Sequence, residues 1–400
     1  MYSKKYTNRG NLLDKIFFVL VISLSIVQQM PVINENYYGI LRLLLYAMFG
    51  TYGLISILRT NFFLQVSFVR YFMIVFIYSI LLSLISRTDT FELYLIPMGV
   101  LIASVNARLE ITFIRKLVDW FILLVTFLSV TSILYYGNGF SISATYLIPA
   151  KNQIGPMISI AILLSLFTLI NRDFLIKDRK NNFFYLVCFL LTFTSLLTIR
   201  NRSGMLAIAF CVFLYCLTRI KFKYKLKTWG AIYFTFCIFL GLFYFGYFDR
   251  LLNYIWDSFT LNYDVTNIDM LSAGRFDTYI EGIIFVYENP VFGEIGNNNF
   301  LRGTPHNYII ANIVSYGLVF GMPLIVFYLY LWWFTIKNTL FGSKNSMQLE
   351  FIWVLFTTLI VSLFEYSYPY GPGTSQLMMW TLFGYFLRSK NIEKKNKSVL

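Results

Sequence analysis

The sequence predicts an all-α, polytopic membrane protein with about 12 transmembrane helices and a large extracytoplasmic loop between spans nine and ten. Three observations predict it. Of the 400 residues, 58% are hydrophobic and only 13% are charged. The apolar residues are grouped into long runs, several near the roughly 20 residues that a bilayer-crossing helix needs. The charges collect between the runs and follow the positive-inside rule. With the N-terminus in the cytoplasm, 25 of the 33 Lys and Arg residues fall on cytoplasmic segments, 7 on outside loops and one, Arg42, within a span. The formal charge of +14 is therefore a membrane-topology signal, and nucleic acid is not an expected partner. Residues 1–400 form one integral membrane domain with both termini cytoplasmic.

The first run, Ile16 to Val32, follows a basic N-terminus without a small-residue cleavage site, so a retained span is expected rather than a signal peptide. Spans at Tyr38 to Leu58, Phe68 to Ile85 and Phe91 to Val105 read as scaffold, with Arg59, Arg108, Arg115 and Lys116 facing inward. Arg42 is costly in hydrocarbon unless paired or snorkelling, and its place near the start of its span fits an interfacial anchor. Span five, Leu117 to Tyr136, leads out to a polar loop. The turn Lys151-Asn152-Gln153-Ile154-Gly155 then opens span six, Ile154 to Ile170, and offers one cation and two amides to a phosphate or a sugar. An ordinary headgroup-anchoring lysine explains that turn equally well.

Span seven, Phe183 to Thr198, meets span eight, Met205 to Thr218, across Ile199-Arg200-Asn201-Arg202-Ser203-Gly204. Two arginines in an outside turn run against the positive-inside rule, and their planar donor forks suit phosphate. The segment Arg219 to Lys227 alternates cation with apolar residue and reads as a headgroup anchor. Span nine, Trp229 to Tyr247, opens into the longest polar stretch, residues 248–307, expected to form part of an active site. Within it, Arg275 begins a segment whose apolar residues recur at helical spacing, and Asn289 to Gly296 is a turn-rich stop. Span ten, Gly317 to Ile336, carries Gly317 and Gly321 at a spacing for close helix packing. Span eleven runs from Phe351 to about Tyr368, and span twelve precedes a basic tail. Cys188, Cys211, Cys216 and Cys237 all lie in apolar runs and read as packing residues.

The chain's one histidine, His306, sits just before a long apolar run. Thr304 is expected as a helix N-cap, with Pro305 at the first helical position and Tyr308 to Tyr316 continuing the helix. His306 then lies in the first turn, where the partial positive charge favours the neutral ring and a nearby anion. A neutral imidazole beside an anion suits a general base. The plainer alternative is a histidine that caps or packs at the interface. Lys151, Arg200, Arg202, Arg275 and His306 together make an electropositive set with one titratable group. No zinc-type Cys/His cluster, Walker loop, nucleophile elbow or paired-carboxylate motif accompanies them.

In order and sidedness these motifs resemble the bacterial O-antigen polymerase and ligase superfamily. The residues that carry the resemblance are Asn201-Arg202-Ser203-Gly204, Arg275, Pro290-x-x-Gly293-x-x-Gly296, His306-Asn307-Tyr308 and Gly317, with Lys151 to Gly155 similar to an earlier Asn-containing turn. The resemblance is best from Lys151 to Phe327. One departure is that the family's Ser-Arg-Gly stands here as Asn201-Arg202-Ser203 followed by Gly204, with Arg200 beside it. The resemblance implies a metal-independent, cofactor-free glycosyltransferase on the outer face of the cytoplasmic (inner) membrane. It would polymerise undecaprenyl-diphosphate-linked oligosaccharide repeats of a capsule, exopolysaccharide or O-antigen, with membrane lipids around it and a flippase and a chain-length regulator as candidate companions.

In that reading Arg275 and Arg202 hold the donor diphosphate and His306 accepts the acceptor's proton. Arg200, Lys151, Asn152, Asn307 and Tyr308 would contact substrate. The alternatives are an O-antigen-type ligase and a lipid-linked saccharide flippase, which would line a central cavity with polar groups. Shape and division glycosyltransferases rely on an outside acidic residue, and Asp257, Asp264 and Asp269 lack a supporting motif.

Overall fold

In the computed structural model, residues 3–136, 151–170, 182–219, 274–295, 305–340, 349–371 and 375–399 are described, with isolated positions between 253 and 272. The described residues are helical, with no strand among them. The helices are α1 (Ser3–Val27), α2 (Pro31–Arg59), α3 (Ser67–Ser86), α4 (Thr90–Asn106), α5 (Ile111–Tyr136), α6 (Lys151–Ile170), α7 (Asn182–Ile199), α8 (Arg202–Arg219), α9 (Arg275–Glu288), α10 (Tyr308–Leu340), α11 (Leu349–Val361) and α12 (Leu377–Val399). Six of them, α2, α3, α5, α6, α7 and α10, are long and apolar enough to cross a membrane, as a helical membrane protein requires. The expected span nine, the Arg219 to Lys227 anchor beyond its first residue, Gly296, Arg302 and Thr304 lie outside the described residues.

Burial sorts the helices into a centre and a rim. α4, α6 and the described parts of α11 and α12 are buried along most of their length, while α2, α3, α5 and α7 expose large apolar residues such as Leu43, Leu58, Ile74, Leu84, Leu134 and Phe183. A rim that is apolar outward fits hydrocarbon rather than water. Close approach at the centre comes from small residues. A Cβ on Gly384 of α12 would meet Ser104 Oγ of α4 at 1.8 Å. Thr51, Thr126, Ser129, Thr192 and Thr357 each donate a hydroxyl to the carbonyl four residues back, which leaves these span hydroxyls satisfied. Arg42 is paired with Glu92 Oε2 at 2.7 Å and bonds Tyr46, so α2 is tied to α4 and the arginine carries a partner.

The two ends of the bundle differ. At one, Asn106 at the end of α4 accepts the Phe63 N–H and donates to Ser56 and Thr60, and Arg388 of α12 donates to the Val105 and Asn106 carbonyls. Toward the opposite end of α4, about 18 Å away at 1.5 Å per residue, stands Tyr94. Its hydroxyl meets that of Tyr308 at 2.6 Å. Every sequence-predicted site residue that the structure describes belongs to this second end.

Two expectations are corrected here. Gly317 does not serve packing between two helices. Gly317 breaks α10 with φ 68° and ψ 179°, a conformation open to glycine, and the chain folds back. The Tyr308 ring therefore stacks on Tyr328 at 4.4 Å, although 20 helical residues would separate them by about 30 Å. Gly321, in the returning arm, lies against the Asn312 carbonyl of the arm before the break, so this glycine does let two helices pack closely. Span eleven, expected to reach Tyr368, ends as a helix at Val361, and residues 362–370 unwind into turns at the second end of the bundle.

Candidate functional site

The unwound segment after α11 is the hub on which the site is built. Its Glu365 carboxylate binds two sequence-distant groups. Oε1 pairs with the Arg275 guanidinium at 2.8 Å, and Oε2 lies 3.2 Å from His306 Nδ1. The other arm of the Arg275 fork donates to the Phe364 carbonyl at 2.7 Å. Exposure is graded outward: 8% for the Glu365 side chain, 24% for Arg275 and 43% for His306. An ionised carboxylate only accepts, so in the neutral ring Nδ1 carries the proton and Nε2 presents its lone pair away from Glu365. A histidine so oriented has the arrangement of a general base with its orienting partner.

His306 is held from a second direction. Tyr279, one turn along α9 from Arg275, donates its hydroxyl to the His306 carbonyl at 3.0 Å. Burial pushes the Tyr279 phenol above its ordinary value, with the Arg275 charge pulling the other way, so it remains a donor. The expected capping is corrected. Asn307, not Thr304, caps α10, its Oδ1 accepting the N–H groups of Ile309 (2.9 Å) and Ile310 (3.2 Å). His306 thus precedes the helix rather than occupying its first turn, and Glu365 sets its orientation. The Asn307 amide also donates to the Leu363 carbonyl at 3.1 Å, so both ends of this side chain serve structure. Tyr308 is corrected too. It is fully buried between Tyr94, Tyr328 and Tyr370 and cannot offer a face to a sugar.

The arginine turn joins the hub through α6. Asn201 caps α8, accepting the Gly204 N–H at 2.8 Å. Its side chain lies where a Cβ on Gly155 would be, 2.4 Å from Asn201 Cγ, while Gly204 makes the same room for Ser159. The glycines of the two motifs therefore let the α6 and α8 starts interlock. Tyr368 of the hub closes the circuit, donating its hydroxyl to the Asn152 carbonyl at 2.7 Å. Arg200 sits in the left-handed turn between α7 and α8 (φ 55°), and Arg202 is the first residue of α8; both are half-buried. Lys151 is the first residue of α6, and the Asn152 beside it is exposed.

A common rule places these cations. Lys151, Arg202 and Arg275 each open a helix, and His306 stands two residues before one. Four helix starts thus join the 362–370 segment directly or through one neighbour. Each helix start carries about half a positive charge on its unpaired N–H groups, so side chains and backbone both favour an anion there. Within that set Arg275 is neutralised locally by Glu365.

The clasp under His306 uses the remaining motif glycines. Gly293 (φ 58°) and Gly317 lie backbone to backbone, with Leu318 N–H donating to the Pro290 carbonyl (2.7 Å) and Glu294 N–H to Val314 (2.9 Å). A Cβ on Gly317 would stand 2.3 Å from the Val291 carbonyl oxygen. This docks the end of α9 on the break in α10, so Arg275 and His306 ride on elements fastened to each other. Burial raises the Glu294 carboxyl above its usual range, opposed by a hydrogen bond to Ser315.

The residue that sequence reasoning missed is Glu365. It lay inside an apolar run assigned to a span, and an acidic group in such a run is itself a signal of function. Comparison with known proteins gives no family-model match and no match among curated proteins.

Proposed function

We propose that the protein is a glycosyltransferase that polymerises undecaprenyl-diphosphate-linked oligosaccharide repeat units at the outer face of the cytoplasmic membrane. The proposal includes about twelve spans, both termini cytoplasmic and residues 248–307 forming an outside loop over the site. The observation that carries it is the Glu365-centred cluster, in which an oriented imidazole shares a carboxylate with Arg275 beside several helix starts. A base beside an anion site is what transfer from a diphosphate donor to a hydroxyl acceptor needs. The motif resemblance to the O-antigen polymerase and ligase superfamily supports the same reading.

In this mechanism His306 Nε2 takes the proton of the acceptor hydroxyl as its oxygen attacks the anomeric carbon of the donor. The bond from that carbon to the diphosphate oxygen breaks, and the leaving diphosphate keeps the electron pair. Arg202, Arg200 and the starts of α6 and α8 stabilise the growing negative charge. Glu365 fixes the ring's tautomer, and Arg275 fixes Glu365 while its exposed quarter faces the donor. General-base assistance of this kind contributes about 10²–10⁴ in rate.

The test is glycan length in cells carrying His306→Ala, Arg275→Lys or Arg202→Ala, with insertion of each variant verified. Accumulation of single lipid-linked repeats supports polymerisation. Normal chain length in all three rejects the site. Loss of repeats from the outer leaflet would favour a flippase, and loss of glycan attachment with normal polymer would favour a ligase.

A further inference from the structure

We propose that α9 is a lipid-contacting helix, its outward face packed against the acyl chains of the leaflet at the hub's end of the bundle. That face is Phe276, Ile280, Ile283, Ile284 and Tyr287, which follow one another at i, i+4, i+7, i+8 and i+11 and so share an arc of about 100° on a helix of 3.6 residues per turn. These five side chains are between 50% and 88% exposed. The opposite face is the one that packs on protein. Phe285 is buried there, and a Cβ on Gly282 would stand 3.1 Å from Val314 and 3.3 Å from Ile310 of α10. A helix with one face on the bundle and a wide apolar stripe on the other needs an apolar neighbour on both sides.

Continuity with the rim of the bundle says what covers the stripe. α9 runs beside the arm of α10 before the break: Tyr279 bonds the His306 carbonyl, Gly282 faces Ile310 and Val314, and the Glu294 N–H reaches the Val314 carbonyl. Just past α9, the Phe292 ring stacks on Phe320 at 5.5 Å, and the Phe320 carbonyl accepts the Tyr78 hydroxyl at 2.7 Å. Tyr78 lies eight residues inside the end of α3 at Ser86, about 12 Å along that span. The end of α9 is therefore level with a spanning helix, and its stripe passes through Val291 and Phe292 to Leu318 and Met322, which are exposed on the returning arm. An apolar surface continuous with a rim that faces hydrocarbon is itself a lipid contact. Headgroup charge adds nothing to it. α9 carries three acids, Asp277, Glu281 and Glu288, and one cation, Arg275, whose fork is bound to Glu365 and the Phe364 carbonyl. The hub, tied to α9 by Arg275 and Tyr279, thus lies beside the leaflet, whatever reaction it catalyses.

The test uses the full chain in phosphatidylcholine nanodiscs, with p-benzoylphenylalanine in place of Ile283, Tyr287 or, as a rim control, Met322, and reads photo-adducts by mass spectrometry. Lipid adducts at Ile283 and Tyr287 of the same order as those at Met322 support the contact. Adducts to a second copy of the chain, or lipid adducts an order of magnitude below those at Met322, overturn it. Adding Ile283→Asp to the Tyr287 probe should abolish the lipid adduct there, because a carboxylate resists entry into acyl chains; an unchanged adduct overturns the assignment. Replacing phosphatidylcholine with phosphatidylglycerol should leave the yield unchanged, and a rise would overturn the assignment by showing that headgroup charge rather than the stripe draws α9. Lipid adducts in a protein that forms no polymer leave this contact standing and remove the polymerase reading.

Discussion

Replacing Glu365 with Gln keeps the size of the side chain and removes one acceptor. In the wild type the two carboxylate oxygens serve Arg275 at 2.8 Å and His306 Nδ1 at 3.2 Å. An amide has one oxygen and one NH₂ group. The guanidinium has only donors, so it claims the oxygen and the NH₂ is left facing the imidazole. The ring then accepts at Nδ1 and carries its proton on Nε2, the atom that must take the acceptor's proton. Turnover should fall by about 10²–10⁴, the usual contribution of a general base. Stability should fall less, by about 1–2 kcal/mol, the difference between a charge-assisted and a neutral hydrogen bond, because Arg275 keeps its bond to Phe364. The assay is polymer formed per inserted protein, read beside thermal unfolding of the purified chain. Near-normal polymer from a folded Glu365→Gln protein would refute the tautomer argument.

Two further outcomes follow from the clasp. Gly317→Ala forces a side chain onto φ 68° and against the Val291 carbonyl, so the variant should lose about 1–3 kcal/mol from backbone strain and lower its melting temperature. An unchanged melting temperature would show that the break in α10 is not held. Glu294 is protonated more readily when folded than unfolded, so the folded state binds the extra proton and stability falls as pH rises from the ordinary carboxylate range through the raised value. Glu294→Gln should abolish that fall, which a melting-temperature profile across pH would detect.

The helices were legible because a hydrocarbon solvent leaves a coarse record: long apolar runs, with basic residues between them. α6 and α8 begin at Lys151 and Arg202, three residues before the expected Ile154 and Met205 and inside segments read as turns, whereas the division of α10 at Gly317 could be placed from turn residues alone. What Gly317 does there could not, since φ 68° and the Val291 contact depend on residues 26 positions earlier in the chain. Glu365 was hidden for a related reason. Phe351 to Tyr368 reads as one apolar run, and only the tertiary demand of Arg275, His306 and Asn307 for acceptors shows why the helix stops at Val361. Tyr308 was misassigned because an aromatic beside a candidate base looks the same in sequence whether it faces a ligand or a core.

The claim on which the rest depends is that Glu365 and His306 act as one unit. A double-mutant cycle on polymer formation, with His306→Ala, Glu365→Gln and both together, measures this directly. If the carboxylate acts through the imidazole, the double variant will be no slower than His306→Ala. If the two losses multiply, the groups act independently and the account is wrong.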